Sequence, residues 1–438
     1  MRLNLQVETE RRKQMNIRRM IQQSLDYIEN NLKAQITVDE LCNMAGYSRV
    51  HYCRLFQHYI GFTPSEYLIR RKLLHAVYDI SKGNAKIDVA LNYGFETYAG
   101  FYKAFKREFS CSPSEFIKAY RSEKPYKVNI LQEEHIMISK TKVQKLLENW
   151  NLQNKAVSNV YNENTGRQNE NAYSVGDDYI IKFTANLGSI KNNIRISKAL
   201  AEAGLPAAEI IKTVSGTDYL QDGEIYFIML KRIKGSPLKC DDIFADTSLA
   251  YTIGENIARL HRALKDFDEE NYAAVNIYGK VVNALPKIKN GIDFSAKFIR
   301  DYEIGFGEIF DKLPKQIIHR DINPSNMIFD GGKFKGFIDF DLSEINIRIF
   351  DICYCATAIL SECFNGSVDK AKWLEILNNL VDGYNSIEPL TEYEQQAIPY
   401  VIYSIQIICI AYFSHYDKFE ALAKTNTAML KWISNIFN

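Results

Sequence analysis

Apolar residues recur at intervals of three and four in two segments near the start of the chain, a spacing that predicts amphipathic helices. The first segment runs from Ser48 to His58 and the second from Thr97 to Phe109. Each follows a short apolar segment that ends at a glycine, which tolerates the left-handed turn after a helix. The pattern therefore predicts two helix-turn-helix units. Their inward-facing residues are Tyr52, Leu55 and Phe56 in the first unit and Phe101, Ala104 and Phe105 in the second.

These two units are copies of one pattern. Phe56 and the run Thr63-Pro64-Ser65-Glu66 recur 49 positions later as Phe105 and Ser112-Pro113-Ser114-Glu115. Each run supplies a hydroxyl cap, a proline at the first helical position and a glutamate that returns to the cap. A similar capping box from Thr37 to Glu40 predicts the start of the short helix in the first unit.

Polar and basic residues occupy the outward faces of the second helix in each unit. A short helix, a glycine turn and such a helix form the geometry that enters a DNA major groove. Arginine and glutamine read base edges there, while lysine and tyrosine contact phosphates. The alternative is a helical bundle that touches no DNA, in which exposed basic residues are only solvated.

Residues 17–122 resemble the DNA-binding domain of AraC/XylS-type transcription regulators, in which a linker helix, here Ser65 to about Ser81, joins two such units. The resemblance implies promoter DNA as a partner. Arg70, Arg71 and Lys72 on the linker are expected to contact phosphates or to remain solvated. The predicted DNA-binding residues are Arg49, Val50, Cys53, Arg54, Tyr98, Ala99, Tyr102 and Lys103.

The later part of the chain changes pattern, with short β-forming runs between turn residues. Strands are predicted at 172–175, 179–183 and 225–230, and a helix at about 192–203. Gly166 and Asn169 precede the first of these strands and are predicted to lie in a loop that covers phosphates. Lys182 stands mid-strand, where its ammonium group would reach a nucleotide.

One run, Pro399 to Phe413, is strongly apolar but shorter than the roughly twenty residues that span a bilayer, and it predicts a buried helix. The N-terminus is charged and lacks an apolar core of signal-peptide type. None of the eight cysteines forms a CxxC pair. We therefore expect a reduced, cytoplasmic protein without a membrane partner.

Charged residues are distributed unevenly along the 438-residue chain, although its formal net charge is only +1. Residues 1–124 contain 20 basic and 13 acidic residues, a net charge of +7, whereas the remainder contains 34 basic and 40 acidic residues, a net charge of −6. A chain of this length is expected to form two or three domains. The asymmetry favours a nucleic-acid partner for the first part only.

The candidate chemistry lies in His319-Arg320-Asp321-Ile322-Asn323-Pro324-Ser325-Asn326, followed by Ile338-Asp339-Phe340-Asp341. Phosphoryl transfer needs a carboxylate that orients the attacking hydroxyl, together with an amide and a second carboxylate that hold Mg²⁺. Asp321, Asn326 and Asp339 match these roles in that order. His319 is expected to be a scaffold for the loop.

Residues 140–436 resemble the aminoglycoside phosphotransferase and choline kinase superfamily. The resemblance implies Lys182 at the nucleotide, Asp321 as the catalytic residue, and Asn326 and Asp339 at the metal. Mg²⁺ with ATP or GTP, and a hydroxyl-bearing small molecule, follow as cofactors and substrate. Leu260-His261 and Asp351 match further recurrent positions of the family.

The glutamate that would pair with the strand lysine is missing, because Asn193 stands near its expected position. Three interpretations stay open: a regulator that senses nucleotide and a small molecule, a working small-molecule kinase with an accessory DNA-binding domain, and a degenerate kinase fold used for interaction. O-phosphotransferase activity is the favoured chemistry if the domain turns over.

The predicted fold is multidomain: an all-α tandem helix-turn-helix domain followed by an α+β bilobal protein-kinase-like domain. The predicted bounds are 1–16 for a basic N-terminal extension, 17–122 for the DNA-binding domain, 123–139 for a linker and 140–436 for the kinase-like domain, with a small lobe at 140–230 and a helical large lobe at 236–436. Arg11 to Arg19 are expected to form a loose end.

Overall fold

The computed structural model describes residues 2–119, 124–131, 137–162, 168–267, 272–288, 296–416 and 419–437. Two units are distinguished by their internal contacts: unit 1 contains residues 1–185 and 212–220, and unit 2 contains residues 186–211 and 221–438. This division differs from the bounds predicted from motifs. The helical domain and the first three strands of the kinase-like domain belong to one unit.

Among its described residues unit 1 begins with eight helices, three of which start at the capping signals predicted from the sequence. Thr37 with Glu40 and Thr63 with Glu66 form capping boxes, and Ser112 exchanges the same pair of hydrogen bonds with Glu115. The helices are α1 (Arg2–Asn30), α2 (Val38–Ala45), α3 (Arg49–Ile60), α4 (Pro64–Ser81), α5 (Lys86–Asn92), α6 (Tyr98–Phe109), α7 (Pro113–Ala119) and α8 (Lys140–Leu146), the last followed by a 3-10 turn at Leu147–Trp150.

The first helix corrects one expectation. Arg11 to Arg19 lie inside α1 and do not form a loose end before the first helix. Helix formation is favoured here because the second half of α1 buries Ile21, Leu25 and Ile28 completely in the core of the helical domain.

That core contains the residues predicted from the helical spacing. Tyr52, Phe56, Phe101 and Phe105 are fully buried, whereas Leu55 and Ala104 are half-buried at its edge. The glycine turn is also confirmed, since Gly46 ends α2 in the left-handed conformation with φ of 71°. The two predicted helix-turn-helix units are therefore present.

Residues after the helical domain continue its packing. Val128 and Ile130 are buried in the same core, and Gln22 in α1 bonds both backbones, donating to Val128 O at 3.1 Å and accepting from Ile130 N at 2.9 Å. Ser139 N donates to Gly61 O at 3.3 Å. The described part of the connection is thus ordered against the helices, as predicted.

An antiparallel three-stranded ladder completes unit 1. It is formed by β1 (Val157–Tyr161), β2 (Gln168–Val175) and β3 (Tyr179–Thr184), with Val157 opposite Val175 and Ala172 opposite Lys182. An irregularity between Asn159 and Tyr161 lets β1 and β2 stay paired as far as Tyr161 and Gln168.

Unit 2 is mainly helical, with short ladders that carry the loops of the candidate site. Its strands are β4 (Ile210–Ile211), β5 (Leu220–Asp222, which begins at the unit boundary), β6 (Ile225–Lys231), β7 (Ser236–Pro237), β8 (Lys315–Ile318), β9 (Met327–Asp330), β10 (Lys333–Phe337) and β11 (Glu344–Ile347). Antiparallel pairs join β4 with β6, β7 with β9, β9 with β10, and β8 with β11.

The helices of unit 2 enclose one large apolar core. They are α9 (Leu187–Glu202), α10 (Cys240–Ala245), α11 (Leu249–Ala263), α12 (Ile277–Ile288), α13 (Ala296–Phe310), α14 (Ile349–Cys363), α15 (Trp373–Asn385), α16 (Glu392–Phe413) and α17 (Glu420–Phe437), with 3-10 turns at Pro324–Asn326, Phe340–Leu342 and Lys370–Lys372.

Two helices of this unit cross at backbone contact. A Cβ atom added to Gly254 in α11 would lie 2.1 Å from Leu380 O in α15, and one added to Gly383 would lie 2.0 Å from Tyr251 O. Only glycine allows such an approach at both positions. This close crossing positions α11 against α15. His261, two turns further along α11, thereby lies next to Tyr384 of α15.

Helix α16 contains the strongly apolar run. Among the residues described, it is the single helix long and apolar enough to cross a membrane by length and composition, and half of its apolar window is buried inside the protein. Val401, Ile402, Ile405 and Ile407 lie in the core of unit 2. These contacts agree with the prediction of a buried helix.

Candidate active site and DNA-binding surface

Asp351 holds the loop that follows β8. Its carboxylate, at the start of α14, accepts hydrogen bonds from His319 N at 2.9 Å and from Arg320 N at 2.8 Å. Arg320 adopts a left-handed conformation with φ of 71°, which is unfavourable for a residue with a side chain. The two bonds from a fully buried carboxylate stabilise this turn and direct the next residue, Asp321.

A histidine and a tyrosine orient Asp351 in turn. His261 Nε2 lies 3.0 Å from Asp351 Oδ2, and His261 Nδ1 lies 2.9 Å from Tyr384 Oη. Both ring nitrogens therefore have hydrogen-bond partners, as the almost complete burial of this side chain requires. His261 and Asp351, which the family resemblance singled out, form one hydrogen-bonded support beneath the loop.

His319 links the loop to the strand that precedes Asp339. Its Nε2 donates to Ile338 O at 3.0 Å, and its Nδ1 accepts from Asp321 N at 3.3 Å, so these partners assign a neutral ring protonated on Nε2. Ile338 N donates to Asn326 O at 3.0 Å. His319 is thus the predicted scaffold, and its bonds bring the Asp321 loop beside Asp339.

The carboxylate of Asp321 is surrounded by donors. Its Oδ1 accepts from Tyr354 Oη at 2.8 Å and from Asn323 Nδ2 at 3.2 Å, while its Oδ2 accepts from Asn326 Nδ2 at 3.0 Å. Burial and the charge of Asp339 raise the pKa of Asp321, and the hydrogen bond from Tyr354 opposes that rise. A half-buried carboxylate with a raised pKa has the character of a general base.

The residues around Asp321 fit a magnesium ion. Asn326 and Asp339 offer the hard oxygen ligands that Mg²⁺ prefers. The negative charge of Asp339 makes ionisation of Asp321 more costly, and a bound divalent cation would reduce that cost. Across the described ranges, no cluster of three or more His, Cys, Asp or Glu is placed to hold a metal by itself. The remaining ligands would therefore come from nucleotide phosphates and water, as Mg²⁺ generally requires.

Asn193, near the expected position of the missing glutamate, contacts the other loop. It is almost fully buried in α9, and its Nδ2 donates to the carboxylate of Asp341. Both residues lie in unit 2. The Asn193 side chain therefore stabilises the segment from Ile338 to Asp341, which contains Asp339.

The predicted nucleotide residues lie in unit 1. Lys182 is 7% exposed on β3, opposite Ala172 of β2. Asn169 lies within β2 and not in a loop before it, because pairing with β1 extends the strand back to Gln168. Its Oδ1 accepts from Asn171 N at 3.0 Å. Gly166 lies outside the described residues. The nucleotide contacts of these residues stay predictions.

The predicted DNA-binding residues fall into two groups. Six of them point to solvent from α3 and α6: Arg49, Val50, Arg54, Ala99, Tyr102 and Lys103. Arg49 also forms an exposed ion pair with Asp39 at 2.8 Å. Cys53 and Tyr98 are half-buried against the helical core, and the ring of Tyr98 lies 5.7 Å from that of Phe101. Their side chains are therefore partly committed to packing.

Two expectations about the linker helix were wrong. Arg70 and Arg71 are 8% and 5% exposed, respectively, so they are neither solvated nor on a phosphate-binding surface. Both are ion-paired inside unit 1, Arg70 with Glu108 and Arg71 with Glu29. Buried arginine is stable only with such partners.

Sequence reasoning also missed two neighbours of Asp321. Asn323 caps the 3-10 turn of the loop, accepting from Ser325 N at 2.9 Å, and it also bonds Asp321. Tyr354 lies 33 positions beyond Asp321 in the chain. The available signal was its position three residues after Asp351, which places both side chains on one face of α14.

Two family models match the chain. A model described as a helix-turn-helix domain matches residues 41–119, and one described as a phosphotransferase enzyme family matches residues 164–390. The first covers both predicted helix-turn-helix units. The second spans Lys182, the Asp321 loop, Asp339 and Asp351.

Curated relatives divide in the same way. A probable transcription factor, PqrA of Proteus vulgaris, is 36% identical over 95 residues, which is 21% of this chain and 78% of that protein. A homoserine kinase of Methylobacillus glycogenes is 26% identical over 219 residues, which is 48% of this chain and 64% of the kinase. The chain thus spans slightly less than two thirds of that kinase.

Solved structures show the fold of the later part. An amicoumacin kinase in complex with AMP-PNP, Ca²⁺ and Ami has a TM-score of 0.51 at 15% identity, covering 67% of this chain and 92% of that one. A microcompartment-associated aminopropanol kinase has a TM-score of 0.51 at 14% identity, covering 67% and 97%. Together with the model that matches more than half of its residues, these findings show that the chain belongs to the phosphotransferase enzyme family and carries an AraC-type helix-turn-helix domain before its kinase-like fold.

Proposed function

We propose that this protein is a sequence-specific DNA-binding transcription regulator whose C-terminal domain binds a Mg²⁺-nucleotide and a hydroxyl-bearing small molecule in the cytoplasm. The observation that carries this proposal is the hydrogen-bonded Asp321 loop, present in the same chain as two helix-turn-helix units with exposed outer helices. Packing alone does not account for Asp321, because desolvation and the charge of Asp339 raise the pKa of its carboxyl group and make its ionisation costly.

Asn326 and Asp339 would hold Mg²⁺, and Lys182 would contact the phosphates of ATP or GTP. The metal supplies charge neutralisation on the phosphates when it is bound. Because Asn326 Nδ2 is directed to Asp321, its Oδ1 is the atom for the cation. The aliphatic part of the Lys182 side chain is buried on β3, which would hold its ammonium group in a fixed position at the nucleotide.

Asp321 would orient the acceptor hydroxyl and take up its proton as the oxygen attacks the terminal phosphorus. The bond from that phosphorus to the bridging oxygen would break, and the nucleoside diphosphate would leave. Curated relatives of this part of the chain are homoserine kinases, and one structural neighbour is an aminopropanol kinase. These names favour small hydroxylated amines and amino acids as the first acceptors to test, with aminoglycosides as a larger class.

A second candidate function is a working kinase whose DNA-binding domain is accessory. The donors around Asp321 favour it, since they resemble a base held ready for proton transfer. The missing glutamate favours a sensor, because Asn193, near its expected position, bonds Asp341 and carries no charge to pair with Lys182. Turnover separates the two candidates, and binding is common to both.

A thermal-shift screen tests the proposal. The full chain is heated with Mg²⁺-ATP, Mg²⁺-GTP or neither, each alone and with L-homoserine, aminopropanol or an aminoglycoside. A nucleotide at a hundred times its Kd stabilises the folded protein by about 2.7 kcal/mol, a rise in Tm of several degrees. An unchanged Tm with both nucleotides up to millimolar concentration contradicts the proposal, and ADP release with an acceptor identifies the working kinase.

We expect the Tyr354→Phe variant to move the pH dependence of phosphoryl transfer. Loss of the Tyr354 hydrogen bond raises the pKa of Asp321 further, so the acid limb of kcat/KM against pH shifts to higher pH. At pH values on the acid limb, where Asp321 is mostly protonated, the rate falls roughly 10- to 100-fold, since a hydrogen bond to a charged group contributes about 1.5–3 kcal/mol.

Tyr393→Phe is the matched control, because this tyrosine of α16 is 41% exposed. Its pH profile is expected to equal that of the wild type. An unshifted acid limb in Tyr354→Phe would show that Tyr354 does not tune Asp321.

A further inference from the structure

Arg70 connects the helical domain to the first strands of the kinase-like domain. Its guanidinium group pairs with Glu108 in the last turn of α6 and donates from Nη2 to Gln168 Oε1, at the start of β2, at 2.8 Å. The rings of Phe62 and Phe109 lie 5.6 and 5.4 Å from the guanidinium carbon. All of these residues belong to unit 1. The buried guanidinium group of Arg70 therefore contacts both helix α6 and strand β2.

Other polar contacts follow the same path. Asn159 Nδ2 in β1 donates to Glu108 O at 3.0 Å, and Tyr126 Oη donates to Glu170 Oε1 in β2 at 2.7 Å. The ring of Phe116 in α7 lies 5.9 Å from that of Tyr161 in β1. The second helix-turn-helix unit is thus attached to the β1–β2 ladder at several points around Arg70.

The neighbouring arginine shows that burial alone does not create this link. Arg71 is equally buried on α4, but it bonds Glu29 of α1, with 2.9 Å between Nη2 and Oε2, and Tyr126 O at 2.6 Å. Neither partner lies in a strand. Of the two, Arg70 alone joins α6 to β2 directly.

A buried guanidinium resists separation from its partners, because an unpaired charge in the interior is costly. A displacement of α6 on DNA would therefore act on Gln168 through Glu108 and Arg70. Strand β2 pairs with β3 directly through Ala172 and Lys182. The path from the DNA-facing helix to the predicted nucleotide lysine consists of α6, Arg70, Gln168, β2 and β3.

We propose that Arg70 couples the DNA-binding helix α6 to the nucleotide-binding strands, so that duplex DNA and Mg²⁺-nucleotide change each other's affinity. This inference rests on the proposed function and specifies its regulation. Linkage requires the effect to be reciprocal and equal in both directions. We expect its strength to depend on the Gln168 contact, which joins Arg70 of α4 directly to β2.

The test uses the full chain and the Gln168→Ala variant. This change removes the strand side of the link and leaves the Arg70–Glu108 pair, so the buried charge keeps a partner. Gln144→Ala is the matched control, because Gln144 donates to Gln153 O and Lys155 O at 2.9 and 3.1 Å, away from the helical domain.

The first readout is the Kd of a fluorescent ATP analogue with Mg²⁺, with and without a duplex that the protein has selected from a random pool. Coupling of typical size changes this Kd about fivefold or more in the wild type and in Gln144→Ala. In Gln168→Ala the change falls below about twofold. An equal Kd with and without DNA in the wild type, or full coupling in Gln168→Ala, overturns the inference.

The second readout needs DNA alone. Amide hydrogen exchange in residues 168–175 is expected to slow when the duplex binds the wild type and the Gln144→Ala control, but not Gln168→Ala. Unchanged exchange in the wild type overturns the inference even if nucleotide does not bind. Failure of the wild type to bind either ligand on its own is a different result, which contradicts the proposed function.

Discussion

The Asp321→Asn variant is expected to transfer phosphate roughly 10²- to 10⁴-fold more slowly than the wild type, because it removes the carboxylate that accepts the proton. An amide retains an oxygen for Tyr354 but places an NH₂ group opposite Asn326 Nδ2, which is itself a donor. The loop therefore loses a hydrogen bond as well as a base. Nucleotide affinity is expected to change much less, since Lys182 and Asp339 are intact.

ADP release with the acceptor found in the thermal-shift screen provides the measurement. Asp330→Asn is the control, because Asp330 is an exposed carboxylate on β9 in the same unit and pairs only weakly with Lys335 at 3.8 Å. This control is expected to keep wild-type activity. Equal rates for Asp321→Asn and the wild type would remove Asp321 from the catalytic role.

The Asp351→Ala variant is expected to lower the free energy of unfolding by about 3–5 kcal/mol, which is large for one substitution. Asp351 is fully buried and accepts from His319 N, Arg320 N and His261 Nε2. Its removal leaves buried donors without an acceptor, at about 1–3 kcal/mol each. The left-handed turn at Arg320 loses the bonds that stabilise it.

Urea unfolding followed by circular dichroism measures this loss. Asp382→Ala on α15 is the control, since Asp382 is exposed and its side chain is outside the network. We expect the control to lie within about 0.5 kcal/mol of the wild type. A loss below about 1 kcal/mol in Asp351→Ala would mean that the loop is held by other contacts.

The helical domain was predictable because its signals are local. The capping residues and the three-four spacing of Tyr52, Phe56, Phe101 and Phe105 act within one or two helical turns, and the structure confirms them. The repeat shows the same local pattern a second time, 49 positions later. The extent of α1 was not predictable in this way, since it depends on burial of Ile21 and Leu25 against distant helices.

The candidate site was predictable in part. The spacing of Asp321 and Asn326 selected two residues that hydrogen-bond to each other, because both lie in one short loop. Tyr354 was missed because its spacing from Asp351 predicts only a shared helix face, and its contact with Asp321 spans 33 positions. Asn169 was assigned to a loop because the irregular pairing at Tyr161 that extends β2 has no sequence signature.

The surroundings of Arg70 were also not predictable from the sequence, because its partners lie far away in the chain. A basic run on an amphipathic helix predicts solvent or phosphate as its partner, yet Arg70 is buried between Glu108 and Gln168, which lie 38 and 98 positions away. Burial of an arginine depends on partners that only the fold brings together. The contacts of Arg70 with both Glu108 and Gln168 were therefore visible only in the structure.

The central proposal is that Lys182 and the residues of the Asp321 loop act on one Mg²⁺-nucleotide. Calorimetric titration of Mg²⁺-AMP-PNP into the wild type, Lys182→Met and the exposed control Lys155→Met tests it most directly. Saturable binding to the wild type and to the control is predicted, with affinity at least about tenfold weaker in Lys182→Met, a difference of about 1.4 kcal/mol. Absence of binding to the wild type, or equal affinity in Lys182→Met, would contradict the account.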